Sequence, residues 1–451
     1  MTTAVRPALR PVAATPLADS LPVLESFVSP YVGIVRGLVE LARATDEARL
    51  VGYGALVADP LDPAGQRPTG HSGGSHWLRD AARAAALGES VERYSASYLP
   101  VERLVLATAG ELGADAVDPE SFALFHPRQY AVEAFPFAPF TREARVRWTR
   151  GFSLPDGRPV WLPAQLVYLP LPGVNGDETL IGYATSSGVA CAPTPEEAIL
   201  SGLFELIERD AFMLAWTNRL SLPLLDWSGD EQLRTLDERY FAPSGLRYAA
   251  VDLGVFFGVP AALGVVHGTP GELGALGVGA GCGPTVAVAW RKALAEAFDV
   301  RAHVRDALYE DPSLLGRPAE EIGSFDDHIF FYGDEQRAAA AAFLDASAER
   351  RSTLDVAPVP GANVLELIEA VVAALARHGV SAYAADVTSP DVADSGLSVM
   401  RVVCPQLCAL DVVDRARFLG GRRLYHAAFE AGLVPRPLAL ADLNPDPHPF
   451  P

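Results

Sequence analysis

The chain of 451 residues has few cysteines, no long apolar run and no signal-like N-terminus, and each absence excludes a class of protein. Its 4 cysteines are too few for the disulfide framework that holds small secreted proteins together. No stretch approaches the roughly 18 consecutive apolar residues that a membrane span needs. The N-terminus interrupts its apolar positions with Pro, Arg and Asp, unlike a secretory signal. We therefore predict a cytoplasmic protein with no membrane segment.

Basic residues are also scarce, and lysine is almost absent. Lys and Arg total 36 against 56 Asp and Glu, and the net charge of −20 argues against binding to nucleic acid. Lys292 is the only lysine. The 9 histidines show no H-x-x-x-H or H-E-x-x-H spacing, so the sequence gives no support to a zinc site. What remains is a chain long enough, and at 49% hydrophobic residues apolar enough, to bury a large core.

What the sequence does contain is a stretch that occurs three times in altered form. The copies span residues 82–95, 198–211 and 289–302 and align without a gap. Each is rich in Ala, lacks proline and spaces its apolar residues as an amphipathic helix does. In every copy a leucine is followed by two acids: Leu87, Glu89 and Glu92; Leu203, Glu205 and Glu208; Leu294, Glu296 and Asp299. The two acids are spaced i and i+3, so they share one face of the helix.

Paired acids on a helix face belong either to a solvated surface or to a site. A solvated face explains one such helix, but a threefold repeat that keeps the leucine and both acids favours a site. If the three helices converge, their carboxylates repel one another unless cations lie between them. Mg²⁺ accepts carboxylate oxygens together with the phosphates of a nucleotide. The repeat therefore predicts an acidic, metal-loaded phosphate site built from helices.

Two glycine-rich stretches need a separate interpretation. Residues 70–74 match the G-x-S-x-G pattern of a nucleophile elbow, but the Pro- and Gly-rich residues before them do not predict the strand that an elbow requires. We interpret them as a loop that approaches phosphate. The glycines at 277, 279, 281 and 283 fit neither the Rossmann nor the P-loop spacing, and they form either a turn or a close approach to a ligand.

The remaining pattern alternates helices and strands and predicts an α/β (α+β) fold. Helices are predicted at residues 32–44 and 363–379, and strands at 49–60, 247–268, 381–390 and 397–407. Two further strands flank a hairpin turn at Asp156 and Gly157. Thr194 is placed as the N-cap of the central repeat helix, with Glu197 three residues later, so Glu197 either completes a capping box or binds a ligand.

Four motifs in order carry a family resemblance: LGESVERYSA, then TSSGVACAPTPEEAILSGLFELIERDA, then a Gly-rich stretch leading into RKALAEAFDVRA, and finally NPDPHPFP. From about Gly70 to Pro451 the chain resembles the YcaO family, specifically its azoline-forming cyclodehydratases. The resemblance implies a helix-built site for ATP and Mg²⁺ that is neither Rossmann nor P-loop. It divides the chain into an N-terminal segment, residues 1–65, whose first 20 residues are expected to be mobile, a catalytic domain, 66–435, and a Pro-rich tail, 436–451.

The resemblance also implies roles for individual residues. The metal ligands are Glu89, Glu92, Glu205 and Glu208, and the nucleotide-binding set adds Arg93, Glu197 and Arg209. Arg301 resembles an arginine that follows the third motif, and we take it as catalytic. Asp299 stands where glutamine is common in the family and is either a lost amide contact or one more metal ligand.

The tail carries its own prediction. Pro447, Pro449 and Pro451 reproduce the P-x-P-x-P ending of azoline-forming members, and alternate prolines favour an extended, stiff segment. The resemblance implies that the terminal carboxylate of Pro451 enters the site, where it orients the peptide amide or accepts a proton. On composition alone, the tail is instead a disordered end or a ligand for a proline-recognising domain.

The activity implied is ATP-dependent conversion of Cys, Ser or Thr in a ribosomal precursor peptide to thiazoline or oxazoline, through phosphorylation of the backbone amide oxygen. The alternatives are thioamide or amidine formation, and a non-catalytic accessory subunit. No leader-binding module is apparent before Gly70, so we expect a separate E1-like or ThiF-like leader-binding partner. The family resemblance also implies a homodimer.

Overall fold

The computed structural model describes residues 9–58, 70–169 and 177–451. Within these residues helices and strands are interspersed along the whole chain, as the predicted α/β (α+β) class requires. No helix in these ranges is long and apolar enough to cross a membrane.

The strands are short and numerous. In chain order they are β1 (Val35–Leu41), β2 (Val51–Val57), β3 (Gly70–His76), β4 (Val105–Ala107), β5 (Val146–Ser153), β6 (Pro159–Pro163), β7 (Val189–Ala192), β8 (Leu224–Asp226), β9 (Arg247–Asp252), β10 (Ala261–His267), β11 (Leu276–Cys282), β12 (Arg350–Ser352), β13 (Tyr383–Asp386) and β14 (Ser398–Val403).

The helices range from single turns to seven turns. They are α1 (Leu17–Glu25), α2 (Arg79–Ser97), α3 (Ala109–Leu112), α4 (Pro127–Tyr130), α5 (Pro195–Thr217), α6 (Glu231–Tyr240), α7 (Val286–Glu310), α8 (Phe325–Phe331), α9 (Glu335–Ala338), α10 (Val364–Arg377), α11 (Pro390–Ala393) and α12 (Arg422–Glu430). The three repeat copies fall on α2, α5 and α7, as predicted.

The strands form three sheets. Their orders are β1-β2-β3, β11-β10-β9-β8-β12 and β4-β5-β13-β14-β7, with β6 paired to β5. Most neighbours are antiparallel, and β12 with β8 is a parallel pair. Each repeat helix follows a strand that ends its sheet, namely β3, β7 or β11.

The three strand-helix units contact one another in a closed order. Helix α2 packs on β3 and on β7, α5 packs on β7 and on β11, and α7 packs on β11 and on β3. Each helix therefore lies between its own strand and the strand of another unit. This arrangement brings the acidic faces of the three helices together.

Glycine permits this packing. A Cβ atom at Gly279 would lie 2.4 Å from the amide nitrogen of Ala297 in α7, and one at Gly74 would lie 2.4 Å from the carbonyl oxygen of Ala82 in α2. Real side chains do not fit such gaps, so the glycine-rich strands allow helix backbones to approach closely. Gly277, Gly279 and Gly281 are thus part of β11 and not of a turn or a ligand loop, whereas Gly283 lies in the connection between β11 and α7.

Several predicted elements agree with the structure. The hairpin at Asp156 and Gly157 joins antiparallel β5 and β6, and residues 247–268 contain the antiparallel pair β9 and β10. The predicted helix at 363–379 is α10, with the side chain of Asn363 as its cap. The predicted strands at 49–60, 381–390 and 397–407 are β2, β13 and β14.

Two predictions were wrong. Residues 32–44 form no helix, because Val35–Leu41 pairs in register with β2 as the outer strand β1. Residues 70–74 are not a loop but lie in β3, which pairs with β2 along its whole length, and the rest of the predicted loop before them, 61–69, lies outside the described residues. Ser72, inside this strand, is buried and hydrogen-bonds to Ser90 Oγ at 2.6 Å, so the G-x-S-x-G match is structural.

The N-terminal segment is partly anchored, in contrast to the expected mobility of the first 20 residues. Leu9 and Val12 pack against the main core. The amide of Arg10 donates to Glu196 at 2.6 Å, and the amide of Thr15 donates to Glu197 at the same distance. Residues 1–8 lie outside the described residues.

Candidate functional site

The first acid of each repeat helix accepts a hydrogen bond from a backbone amide near the strand that precedes it. Glu89 accepts from Gly73 at 2.7 Å, Glu205 from Gly188 at 3.2 Å and Glu296 from Ala280 at 2.7 Å. The donors lie 16 or 17 residues before the acids in all three units. The repeat is therefore a structural repeat of a strand, a turn and a helix with the same internal hydrogen bond.

The second acids reach toward another unit. Glu92 accepts from the amide of Cys191 in β7 at 2.9 Å, and Glu208 lies 3.7 Å from Lys292 Nζ in α7. Asp299 pairs with Arg43 instead. Two second acids thus enter a common site, whereas the third is neutralised by an arginine from the N-terminal region.

The side chains that meet between the helices form what we call the carboxylate cluster: Glu89, Glu92, Glu205, Glu208 and Glu296. Arg209 lies between its members, 3.6 Å from Glu205 and 3.4 Å from Glu208. Arg93 pairs with Glu89. Negative charge is concentrated in the cluster, and each arginine pairs with the first acid of its own helix, four residues before it.

Burial raises the pKa values of several carboxyl groups in the cluster. Burial raises the pKa of Glu92 well above its usual range, and repulsion from Glu205 and Glu89 adds to the effect. Burial also raises the pKa of Glu205, although Arg209 opposes the shift. For Glu296 burial raises the pKa to about 7, against the pull of Arg209. The cluster therefore holds carboxylates whose charged forms need additional cations.

The donor set fits Mg²⁺ and phosphate. Glu208 Oε2 is buried without a hydrogen-bond partner, as are Arg209 Nε and Nη1. A cation would satisfy the oxygen, and phosphate oxygens would satisfy the guanidinium. Within the described ranges, no three acidic, His or Cys side chains are arranged to hold a metal ion by themselves. Mg²⁺ is commonly bound by one or two carboxylates together with phosphate oxygens and water, so this arrangement suits a metal that arrives with a nucleotide.

Two of the predicted site residues have other partners. Glu197 accepts hydrogen bonds from the Thr15 amide at 2.6 Å and from the Thr194 hydroxyl at 2.8 Å. Arg301 is buried, pairs with Glu47 and donates to the carbonyl of Gly274. The nucleotide-binding role of Glu197 and the catalytic role of Arg301 stay predictions. In this structure Glu197 ties the N-terminal segment to the start of α5, and Arg301 anchors residues near Glu47 to α7.

Two residues of the site were missing from the predicted ligand set. Glu296 occupied the same column of the repeat as Glu89 and Glu205, and this signal was sufficient to find it. Lys292 precedes Glu296 by four residues, so both lie on one face of α7. The uniqueness of this lysine in a chain otherwise charged by arginine was a second, weaker signal.

The C-terminal tail is packed into the protein and ends beside the carboxylate cluster. Phe450 is fully buried, and the guanidinium carbon of Arg209 lies 4.3 Å from the centre of its ring. Arg209 therefore contacts both the acids and the tail. Pro451, partly buried, follows directly.

The tail is held through its carbonyl groups, as expected for a segment whose prolines lack amide donors. Five successive carbonyls accept hydrogen bonds from side chains: those of Asn444 and Pro445 from Arg417, Asp446 from Trp216, Pro447 from Tyr332 and His448 from His328. The rings of His328 and His448 stack at 4.0 Å. The disordered-end interpretation of the tail was therefore wrong.

The chain matches a known protein family and is similar to a protein of known sequence. Residues 73–408 match the family described as YcaO cyclodehydratase, ATP- and Mg²⁺-binding. An uncharacterized protein of Methanothermobacter thermautotrophicus is 31% identical over 286 residues, which are 61% of this chain and 68% of that protein.

Solved structures share the fold. A heterocyclase in complex with substrate and cofactor is 25% identical with a TM-score of 0.79, over 98% of this chain and 59% of that one. YcaO from Methanopyrus kandleri bound with AMPPCP and Mg²⁺ is 18% identical with a TM-score of 0.61, over 87% of this chain and 91% of that one. The chain thus spans somewhat over half of the solved heterocyclase, and the predicted fold is confirmed.

Proposed function

The chain belongs to the YcaO family, and on that premise we propose that it is an ATP-dependent cyclodehydratase that forms azolines in a ribosomal precursor peptide. The observation that carries the proposal is the carboxylate cluster, in which acids anchored to backbone amides surround Arg209 beside a docked C-terminal tail.

Glu89, Glu92, Glu205 and Glu208 are proposed to hold Mg²⁺, with Glu296 as an additional acid. When bound, Mg²⁺ neutralises the negative charge of the nucleotide phosphates. Arg93, Arg209 and Lys292 are proposed to face the phosphate oxygens. Arg209 is the strongest candidate, because two of its buried N–H groups make no hydrogen bond to the protein.

The proposed reaction begins with the side chain of a Cys, Ser or Thr of the peptide. Its sulfur or oxygen attacks the preceding backbone carbonyl carbon, and the electron pair of the C=O bond moves to the amide oxygen. That oxygen attacks the γ-phosphorus of ATP and ADP leaves. Loss of inorganic phosphate and of the amide proton gives the C=N bond of the azoline. Phosphorylation is required because an amide oxygen is a poor leaving group and phosphate is a good one.

The tail is proposed to supply the base. The terminal carboxylate of Pro451 is proposed to orient the peptide amide or to accept the proton of the attacking group. Hydrogen bonds to the carbonyl groups of residues 444–448 hold the segment in one path and so position its end.

The partners and the cellular setting are proposals as well. The substrate is a ribosomal precursor peptide, recognised with the help of a separate E1-like or ThiF-like leader-binding protein. The enzyme is proposed to act as a homodimer in the cytoplasm. Thioamide or amidine formation and a non-catalytic accessory role are the competing outcomes of the test below.

The single lysine allows a direct test of the nucleotide site. An acyl-phosphate derivative of ATP transfers its acyl group to lysines near the phosphates, and Lys292 is the only lysine available. We expect peptide mapping to find the label on Lys292, and excess Mg²⁺–ATP to suppress it. Labelling of the N-terminal amine alone would contradict the proposed site.

Activity is tested by mass spectrometry of the precursor peptide with its partner protein. Loss of one water per event, with one ADP released, supports cyclodehydration. Replacement of oxygen by sulfur would indicate thioamide formation, and cyclisation onto a backbone amide nitrogen would indicate an amidine. ATP binding with no peptide modification would favour the accessory role.

A further inference from the structure

A small pocket adjoins the carboxylate cluster at Arg209. It has a volume of about 90 Å³ and is bordered by Arg209 and by Arg401 of β14. Its walls are largely apolar and include Tyr183, Leu206 and Phe418. A water molecule takes about 30 Å³ of the liquid, so the pocket has room for a group of a few heavy atoms.

Arg401 is the unusual member of this pocket. It is 7% exposed, and its guanidinium donates to two carbonyl oxygens, Thr185 at 2.6 Å and Leu166 at 3.1 Å. Its Nε is buried without a partner. Among the residues that the structure describes, no carboxylate lies within ion-pair distance of it. Burial lowers the pKa of Arg401 to about 10, while the more distant Glu205 opposes the shift.

A buried guanidinium without a carboxylate is costly to maintain. Buried charges are ordinarily paired, because an unpaired charge loses its hydration without gaining a partner. The buried Arg423 shows the ordinary solution in this chain, since it binds both oxygens of Asp210 at 2.9 and 2.6 Å. The contrast indicates that the anionic partner of Arg401 is a group that enters the pocket.

The position of the pocket restricts what that group is. Arg209 is shared by the pocket, the carboxylate cluster and the tail. An anion between Arg209 and Arg401 would therefore lie beside the proposed phosphate site and near Pro451. We propose that the pocket receives the reacting amide of the peptide, with its oxygen facing Arg401 and Arg209. This inference rests on the proposed function and specifies the peptide half of the same site.

The chemical role follows from the reaction. When the side chain attacks, a C–S or C–O bond forms, the C=O π bond breaks and its electron pair becomes an oxyanion. Two guanidinium groups beside a largely apolar pocket would stabilise that oxyanion and the phosphoryl oxygens that it later carries. Because this charge exists only after attack, Arg401 should affect the chemical step more than peptide binding.

The test compares Arg401→Gln with the wild type, using the full chain with its partner and precursor. Loss of one oxyanion donor typically costs 10²- to 10³-fold in kcat. We expect that loss in azoline formation, with the peptide KM and the calorimetric Kd for Mg²⁺–ATP each changed less than about threefold. Arg401→Lys, which retains charge without the planar fork, should recover part of the rate.

Arg423→Gln is the matched control for a merely structural arginine. It should lower the melting temperature and reduce ATP binding and azoline formation together. If Arg401→Gln behaves in this way, or if its kcat is unchanged, the assignment is overturned.

A second variant tests the pocket without altering Arg401. Ala184 lines the pocket and is partly exposed, so Ala184→Leu should fold while filling it. We expect the peptide KM to rise at least about tenfold with the Kd for Mg²⁺–ATP unchanged. Ala376→Leu, on the exposed face of α10, is the control for added bulk. An unchanged peptide KM in Ala184→Leu would refute the pocket even if Arg401→Gln does not fold.

These outcomes separate the two proposals. If the wild type forms no azoline with its precursor and partner, the proposed function fails. If the wild type forms azolines and both pocket variants do so with wild-type kcat and KM, the proposed function stands and only the assignment of Arg401 fails.

Discussion

Binding of Mg²⁺ to the carboxylate cluster should expel a proton from Glu296. With its pKa at about 7, this carboxyl holds about 0.9 proton at pH 6, about 0.5 at pH 7 and about 0.1 at pH 8 when no cation is bound. A divalent cation beside it favours the charged form. The proton released by Glu296 should therefore decline from about 0.9 to about 0.1 over this range. Glu92 and Glu205, whose pKa values burial also raises, add to the release in the same direction.

Titration calorimetry in two buffers of different ionisation enthalpy measures this release. Mg²⁺–ATP is added in excess Mg²⁺, and the difference in apparent enthalpy between the buffers gives the number of protons. Glu296→Gln cannot titrate at this position and should lose about half a proton of the release at pH 7. Equal apparent enthalpies for the wild type in both buffers, or equal release by the variant, would refute the assignment of Glu296 to the site.

The same shift affects stability. Because the folded-state pKa of Glu296 is raised from 4.5 to about 7, its contribution is fully present below pH 4.5 and is lost as the pH rises through about 7. Mg²⁺ replaces the lost proton as counter-charge. The increase in melting temperature that Mg²⁺–ATP produces should therefore be larger at pH 8 than at pH 6. A constant increase would show that the cluster does not couple protons to the metal.

Three further predictions follow from the site and the tail. Glu205→Gln and Glu208→Gln should each abolish measurable Mg²⁺–ATP binding with circular dichroism unchanged, and unaltered calorimetric affinity in both would contradict the cluster as the metal site. Deleting residues 447–451 should reduce azoline formation by at least about 100-fold while ATP binding changes far less, because the deleted residues are proposed to act on the peptide. A truncated enzyme that forms azolines at the intact rate would show that the tail takes no part in catalysis. Burial holds the pKa of His328 at about 4 against an ordinary 6.5, so protonation is favoured when the tail undocks, and acidification from pH 7 to 5 should weaken docking by roughly 2 kcal/mol. Burial also lowers the pKa of His448, so its protonation on undocking acts in the same direction. Faster carboxypeptidase trimming at pH 5, followed by intact mass and weaker in His328→Phe, would confirm it, and equal trimming at both pH values would refute it.

The central features of the site could be predicted from the sequence because they are local. Helix periodicity and the spacing of acids within each copy depend on residues a few positions apart, so α2, α5, α7 and four members of the cluster followed from the repeat. Glu296 was available from the same column. The tail's alternate prolines likewise indicated an extended, stiff segment.

Other features depended on partners far along the chain, which local patterns do not specify. The glycine-rich residues of β3 and β11 form strands because they pair with β2 and β10, and at Gly74 and Gly279 a helix backbone lies 2.4 Å from where a side chain would be. Residues 35–41 became a strand because β2 offered an edge. Glu197 accepts a hydrogen bond from Thr15, which is 182 residues away, and Arg301 pairs with Glu47, which is 254 residues away. The pocket of Arg209 and Arg401 exists only where α5 and β14 pack together. Whether a buried charge is paired depends on the groups that the tertiary structure places around it, and local sequence patterns do not specify those groups.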